Sequence, residues 1–168
     1  AIASSIKLKL FTKQYLIGNI KAKKPKFFGH LMLLFFISST SIAYYLDADK
    51  VFQIVVQKPM LWLGIIIIYS CTSVYFQEFV YRVFFFKRYS SLFSRKVIVF
   101  INALVFGLAH IMFKNYLIFL MTFLGGIVFA LTYRKTKSLL LTSIEHAIYG
   151  CWLFTLGIGQ ELAFPEVE

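Results

Sequence analysis

Long apolar runs constrain the fold of this chain more than any other feature of its sequence. Apolar residues make up 60% of the 168 residues, against about 45–50% in an average soluble domain. Five runs approach or exceed the ~20 residues with which a helix crosses a bilayer, namely Phe27–Leu46, Pro59–Phe86, Val97–Phe113, Asn115–Tyr133 and Ser138–Gly159. Because the runs are continuous and do not alternate, they indicate helices. We therefore expect an all-α fold, a polytopic transmembrane bundle of about five spanning helices.

A lysine-rich segment precedes the first run. Residues 1–26 carry seven lysines with apolar residues between them. Such a composition is typical of a cytoplasmic arm or of a helix that lies in the membrane interface. We therefore divide the chain into a basic N-terminal arm (1–26) and a single membrane-embedded helical domain (27–168).

The basic residues are distributed unevenly between the loops. With the N-terminus inside, fifteen of the 18 Lys and Arg residues fall on the inner side, and only Lys50, Lys58 and Lys114 fall outside. This asymmetry predicts a protein of the cell membrane with its N-terminus inside and its C-terminus outside. The net charge of +11 then reflects topology and contact with anionic headgroups of the lipid bilayer. No motif for binding nucleic acid is present.

Ionisable residues interrupt the apolar runs at comparable depths. Counted from the nearest basic loop, Glu78 and His146 each lie nine residues into the membrane, roughly 14 Å along a helix. His110 lies fourteen residues in, roughly 21 Å. Arg82 follows Glu78 by one turn and can pair with it at i,i+4. Ionisable groups are costly in a bilayer and are retained where they pair or function, so these residues predict a site inside the membrane.

The segments around these residues resemble three motifs of one family. QEFVYR at 77–82 resembles EExxxR, FGLAH at 106–110 matches FxxxH, and HAIYG at 146–150 resembles HxxxN or HxxxD. On these motifs the chain is similar to the CAAX-protease and bacteriocin-processing (CPBP or Abi) family of intramembrane peptidases. The resemblance covers about residues 60–155.

The resemblance implies an intramembrane endopeptidase that hydrolyses a peptide bond in a membrane-associated protein or peptide. Glu78 and Arg82 correspond to the second glutamate and the arginine of the first motif, while Phe106, His110 and His146 match directly. Glu78 and His110 would activate a water, and His146 would assist the oxyanion. The reaction is expected to need no cofactor. The alternative is a zinc ion held by Glu78, His110 and His146.

Two positions depart from the family pattern. Gln77 stands where the first glutamate belongs, which is usually taken as the base, and Gly150 stands where the final Asn or Asp belongs. A glutamine takes no proton at neutral pH, although it can orient water or donate to an oxyanion. Either Glu78 serves as base after a small helix rotation, or activity is reduced or absent.

Two other functions are therefore alternatives to the peptidase. The first is a catalytically inactive family member that binds a membrane peptide or serves as a scaffold. The second is a proton-coupled membrane carrier, because buried Glu and His side chains also build proton relays.

Overall fold

The fold is known from a computed structural model that describes residues 17–18 and 27–158. In this part of the chain the regular structure is helical, with no strand. The main helices are α1 (Phe27–Asp47), α2 (Gln53–Gln57), α3 (Pro59–Tyr89), α4 (Arg95–Leu108), α5 (Tyr116–Thr136) and α6 (Leu139–Thr155). The predicted all-α class is confirmed. The predicted N-terminal arm lies outside the described residues except for Ile17 and Gly18.

Four helical segments are long and apolar enough to cross a membrane. They are Gly29–Lys50, Pro59–Tyr89, Arg95–Phe113 and Tyr116–Thr136. These segments fit the predicted polytopic bundle. The fifth predicted crossing corresponds to α6, whose 17 residues extend about 26 Å. That α6 also crosses the bilayer stays a prediction.

Hydroxyl side chains within α1 bond to the backbone of the preceding turn. Ser39 Oγ donates to the carbonyl oxygen of Phe35 at 2.6 Å, and Thr40 Oγ1 donates to that of Phe36 at 2.6 Å. A polar group in hydrocarbon needs an internal partner. These bonds allow a run of hydroxyl residues to lie within an otherwise apolar membrane helix.

Two π-helical segments interrupt α3, Tyr69–Val74 and Phe79–Phe84. A single α-helical turn, Tyr75–Glu78, lies between them. The π conformation is rare inside α-helices and is frequent at functional sites. It also changes the direction in which later side chains point. The orientation of Glu78 and of Arg82 therefore cannot be taken from an ideal helix.

The third predicted helix ends earlier than its apolar run. We expected it to continue to Phe113, but α4 ends at Leu108 and residues 111–113 form a separate 3-10 turn. The connection between α4 and α5 also contains a left-handed residue, Lys114, with φ of 50°. Asn115 then caps α5, its side chain accepting from the backbone amides of residues 117 and 118. As a result His110 lies in a turn and not within a helix.

Internal contacts divide the chain into two units. Among the described residues, the first unit contains 17–18 and 73–146, and the second contains 27–72 and 147–158. The single membrane domain that we predicted stays a prediction.

In the first unit, glycine allows α4 and α5 to pack closely. A β-carbon at Gly126 would lie 3.0 Å from the Cα of Ala103. One at Gly107 would lie 3.2 Å from the Cβ of Phe123. Small residues commonly permit such approach between membrane helices. The apolar core of this unit consists of Val83, Phe86, Ile98, Val99, Ala130, Tyr133 and Leu139.

In the second unit, aromatic side chains connect α1 to the last part of α6. The rings of Phe35 and Tyr149 meet edge to face at 4.5 Å between centroids. Those of Phe36 and Trp152 do so at 5.0 Å. Edge-to-face pairs are a preferred aromatic geometry and add to apolar burial.

Candidate active site

Glu78 lies at the centre of a buried polar cluster in the first unit. Its side chain has no exposed surface. One carboxylate oxygen, Oε2, lies 3.1 Å from Nε of Arg82, one turn further along α3. The other, Oε1, lies 2.9 Å from Nδ1 of His146 on α6. The expected pair of Glu78 with Arg82 is present, and a direct bond joins the first motif to the third.

Arg82 is buried as completely as Glu78, with no exposed surface. Beyond its contact with Glu78, Nη1 donates to Oδ1 of Asn102 at 2.5 Å. The guanidinium carbon also lies 4.8 Å from the ring centroid of Phe106 and 5.7 Å from that of Phe129. A buried charge requires pairing and hydrogen bonds, and an aromatic face adds cation–π attraction. Arg82 therefore fixes the position of the Glu78 carboxylate.

Asn102 is a residue of this site that the sequence analysis missed. It is fully buried on α4. Its Oδ1 accepts from Arg82, and its Nδ2 donates to the carbonyl oxygen of Tyr81 at 2.6 Å. A signal was present in the sequence, because Asn102 is a lone amide in an apolar run. It also precedes Phe106 by one helical turn, which places both on one face of α4.

His146 is held between aromatic rings as well as by Glu78. The His146 side chain is only 7% exposed. It stacks on Phe129, with 4.6 Å between centroids and 19° between planes. It also meets the ring of Phe106 edge to face at 5.6 Å. Phe129 was not singled out in the sequence, where no motif distinguishes it from the other phenylalanines.

His110 borders the same cluster through Phe106. Its Nδ1 lies 2.8 Å from the carbonyl oxygen of Phe106, and the two rings are 4.9 Å apart. His110 is half-buried. The structure therefore brings Glu78, Arg82 and His146 into direct contact, with Phe106 between the two histidines.

The partners of the two Nδ1 atoms indicate which tautomer each neutral histidine adopts. A carbonyl oxygen only accepts hydrogen bonds, so a neutral His110 donates from Nδ1 to Phe106. The Glu78 carboxylate, opposed by Arg82, likewise accepts from Nδ1 of His146. A neutral imidazole has one donor and one acceptor nitrogen. In a neutral ring, Nδ1 is thus the donor nitrogen of both histidines.

The donor atoms of this cluster are not arranged for zinc. Over residues 17–18 and 27–158, no group of three or more His, Cys, Asp or Glu side chains is placed to hold a metal ion. Glu78 and His146 bond to each other, and the charge of Arg82 opposes a further cation at the same carboxylate. We therefore derive no step through zinc.

Residues 59–152 match the family model described as type II CAAX prenyl endopeptidase Rce1-like. The match covers more than half of the 168-residue chain. The chain belongs to this Rce1-like family. The membership confirms the resemblance to CAAX proteases that the three motifs indicated. Comparison with curated proteins and with solved structures gave no significant match.

Gln77 is the first departure of this Rce1-like chain from the CAAX-protease motifs. Its Nε2 donates to the hydroxyl of Ser73, one turn earlier, at 2.9 Å. Its Oε1 is buried and has no protein partner. The residue as a whole is half-buried. The Gln77 side chain is thus held through Nε2, and its Oε1 is a hydrogen-bond acceptor without a protein partner.

Gly150 is the second departure of the Rce1-like chain, and its surroundings lie in the second unit. A β-carbon at this position would clash with the hydroxyl end of Tyr69. The ring of Tyr69 is held edge to face against Phe154, with centroids 5.0 Å apart. An Asn or Asp side chain therefore has no room at position 150 while Tyr69 keeps this place.

Proposed function

We propose that this protein is an intramembrane endopeptidase that hydrolyses a peptide bond in a membrane-associated protein or peptide. The observation that carries the proposal is the bonding of Glu78 to both Arg82 and His146 inside apolar helices. A bilayer disfavours such groups unless they pair or function. These groups pair with one another, and membership of a family described as endopeptidases supports a function for them as well.

Peptide hydrolysis needs an activated water, a proton acceptor and donors for the developing oxyanion. By resemblance to the family, Glu78 and His110 activate the water and His146 assists the oxyanion. Arg82 holds the Glu78 carboxylate in place. Gln77 retains an amide that can orient water.

The matched family's description makes a prenylated C-terminal peptide the first substrate to test. Such a peptide is anchored in the bilayer by its lipid, so access from the lipid or from a cytoplasm-facing cavity suits it. This agrees with the proposed cell-membrane location and with the N-terminus inside. A C-terminal fusion to an enzyme that is active only on the outer side of the cell membrane tests the orientation. Activity of the fusion is expected, and its absence would reverse the topology.

A catalytically inactive family member is the second candidate. Gln77 lacks the proton-accepting group of a glutamate, and Tyr69 occupies the space of the missing side chain at Gly150. A protein of this kind would bind a membrane peptide without cleaving it.

The test is cleavage of a fluorogenic prenylated peptide by the purified full chain in lipid, with and without a chelator. Glu78→Ala and His110→Ala are expected to lose at least about 100-fold in rate. His30→Ala, at an exposed histidine, is the matched control and should keep the wild-type rate. Cleavage is expected to survive the chelator, and loss of cleavage would favour the zinc alternative.

The Gln77→Glu variant separates the two candidate functions. If the wild type and Gln77→Glu both cleave, the departure at position 77 is tolerated and the peptidase stands. If only Gln77→Glu cleaves, the natural chain is an inactive member that lacks one carboxylate. If wild type and Gln77→Glu bind the peptide equally and neither cleaves it, the peptidase proposal fails and the binding function takes its place.

A further inference from the structure

We infer that five basic side chains at one end of the first unit form a binding surface for phospholipid headgroups with a net negative charge. This surface, called the basic patch, consists of Arg88, Arg95, Lys96, Arg134 and Lys135. The net charge of the chain predicts only a general attraction to anionic lipid. The basic patch is one defined surface, and the inference does not depend on the proposed peptidase function.

The apolar core of the first unit brings together the helix ends that carry the basic patch. Phe86 of α3, Ile98 of α4 and Tyr133 of α5 belong to one buried cluster. The rings of Phe86 and Tyr133 lie 5.8 Å apart between centroids. Each of these three core residues lies within three residues of a member of the basic patch. The end of α3, the start of α4 and the end of α5 therefore lie at the same end of the unit.

A direct hydrogen bond joins the α4 and α5 parts of the basic patch. Nη1 of Arg134, in the last turn of α5, donates to the carbonyl oxygen of Arg95, the first residue of α4, at 2.5 Å. The two residues are 39 apart in sequence, so this juxtaposition comes from the tertiary structure. Like charges repel at short range. Basic residues gathered in this way are therefore unfavourable unless an anion offsets their charge.

The chain itself offers no carboxylate to the basic patch. Residues 79–144 contain no Asp or Glu, and the carboxylates on either side of this range, Glu78 and Glu145, are buried. Over residues 17–18 and 27–158, no ion pair involves a member of the patch. Four of its five side chains are exposed, and that of Arg134 is half-buried. The anion that offsets them must come from another molecule.

The start of α4 increases the need for an anion. Its first turn contains no acidic residue, and the side chain of Ser94 makes no capping hydrogen bond. The N-terminus of a helix carries a partial positive charge, so basic residues are unfavourable there. Arg95 and Lys96 occupy the first two positions of α4. A phosphate group beside them would offset both the side-chain charges and that of the helix end.

The loop between α3 and α4 favours a lipid headgroup over other anions. Leu92 and Phe93 lie between Arg88 and Arg95 in sequence, and their side chains are 67% and 40% exposed. Apolar side chains beside basic ones are typical of segments at the boundary between headgroups and acyl chains. Headgroup phosphates would contact the basic patch while Leu92 and Phe93 lie against the acyl chains. We predict this side of the membrane to be inside, where anionic lipids are concentrated.

The test measures the lipid preference of the full chain in micelles of a neutral detergent. Dioleoylphosphatidylglycerol or dioleoylphosphatidylcholine is titrated in, and the rise in unfolding temperature gives an apparent affinity for each lipid. We expect the anionic lipid to bind at least about tenfold more tightly, because each basic residue near a membrane surface contributes roughly fivefold in affinity. Equal affinities for the two lipids would overturn the inference.

Two matched pairs of lysine substitutions locate the preference on the protein. Lys96→Gln with Lys135→Gln removes two exposed charges from the basic patch and leaves the bond between α4 and α5 in place. Lys58→Gln with Lys114→Gln removes two exposed charges elsewhere, so both proteins have the same net charge and the same lysine-rich segment 1–26. The preference for the anionic lipid should fall at least about fivefold in the first pair and stay unchanged in the second. Equal losses would assign the preference to net charge and overturn the inference.

Two further measurements separate a lipid from other occupants. Inorganic phosphate at the concentration of the lipid should not reproduce the rise in unfolding temperature, and an equal rise would mean that the patch binds a free anion. Leu92→Asn with Phe93→Asn should weaken the binding of both lipids by a similar factor, because the loop then loses its apolar contact with acyl chains. If both affinities are unchanged, the loop does not contact lipid, and a soluble acidic partner takes the place of the headgroup.

Discussion

The hydroxyl end of Tyr69 occupies the space that a β-carbon would take at Gly150. The two residues lie in the second unit, where the ring of Phe154 also contacts the tyrosine ring edge to face. The glycine at the end of the third motif therefore has a steric role in this chain. Replacing the tyrosine and replacing the glycine should not be independent changes.

We expect Gly150→Ala to lower the free energy of unfolding by about 1–3 kcal/mol through overpacking. In a Tyr69→Leu background the same change should cost less, because the obstructing hydroxyl is gone. Gly64→Ala is the matched control, since a β-carbon there meets nothing within 4 Å, and it should stabilise α3 by about 0.5–1 kcal/mol. Denaturant titration in mixed micelles compares the wild type with these three single variants and the double variant. Equal costs of Gly150→Ala in both backgrounds would contradict the contact.

Asn102 is expected to add more to the free energy of unfolding than an ordinary buried amide does, because its partner is a buried charge. Asn102→Leu removes the acceptor for Nη1 of Arg82 and the donor to the Tyr81 carbonyl. The loss should be about 2–3 kcal/mol in unfolding free energy, with slower cleavage because Arg82 is no longer fixed. Asn115→Ala, which removes a helix cap, should cost about 1 kcal/mol. A smaller loss at Asn102 than at Asn115 would refute its proposed role in the site.

Arg82 and Glu78 should show strong coupling in a double-mutant cycle. Arg82→Met leaves the Glu78 carboxylate buried without its cation, a change that typically costs about 3–5 kcal/mol. Adding Glu78→Gln removes the uncompensated charge, so the double variant should unfold less readily than Arg82→Met alone. Unfolding titrations of the two single variants and the double variant measure the coupling. Additive losses would mean that the two charges do not interact as their 3.1 Å separation indicates.

Lys137 has a backbone conformation that favours glycine. Its φ is 53°, and its amide closes α5 by donating to the Tyr133 carbonyl at 2.6 Å. Lys137→Gly should stabilise the protein by about 1 kcal/mol, because an L-residue is strained in the left-handed region.

A second effect at Lys137 acts in the same direction. Burial lowers the pKa of Lys137, and the charge of Arg134 lowers it further. At neutral pH the protonated side chain is therefore disfavoured in the folded state relative to the unfolded chain, and its removal relieves that cost.

Lys135→Gly is the control for the backbone effect at Lys137. Lys135 lies in the last turn of α5, where glycine should destabilise by about 0.5–1 kcal/mol. Thermal unfolding in lipid compares the two variants. Destabilisation by both would show that the strain at Lys137 is not relieved by glycine.

Composition was enough to predict the helical class and the four segments that are long and apolar enough to cross a membrane, and the three motifs indicated the family. Local spacing also predicted the contact of Glu78 with Arg82, because residues four apart on one helix are neighbours. The helical conformation follows from the bilayer, which requires backbone hydrogen bonds to be satisfied within each apolar segment. The same local information located the two histidines by motif, but not the atoms that they contact.

Only the tertiary structure decided that Glu78 bonds to His146, which lies 68 residues away in sequence, and that Asn102 and Phe129 complete the cluster. It also decided that Tyr69 lies where a side chain at Gly150 would be. Such contacts depend on the rotation of each helix about its axis and on the two π-helical segments of α3. Lipid-facing apolar residues specify those rotations only weakly. They are set by close packing and by the pairing of buried polar groups, which act between helices and not along the sequence.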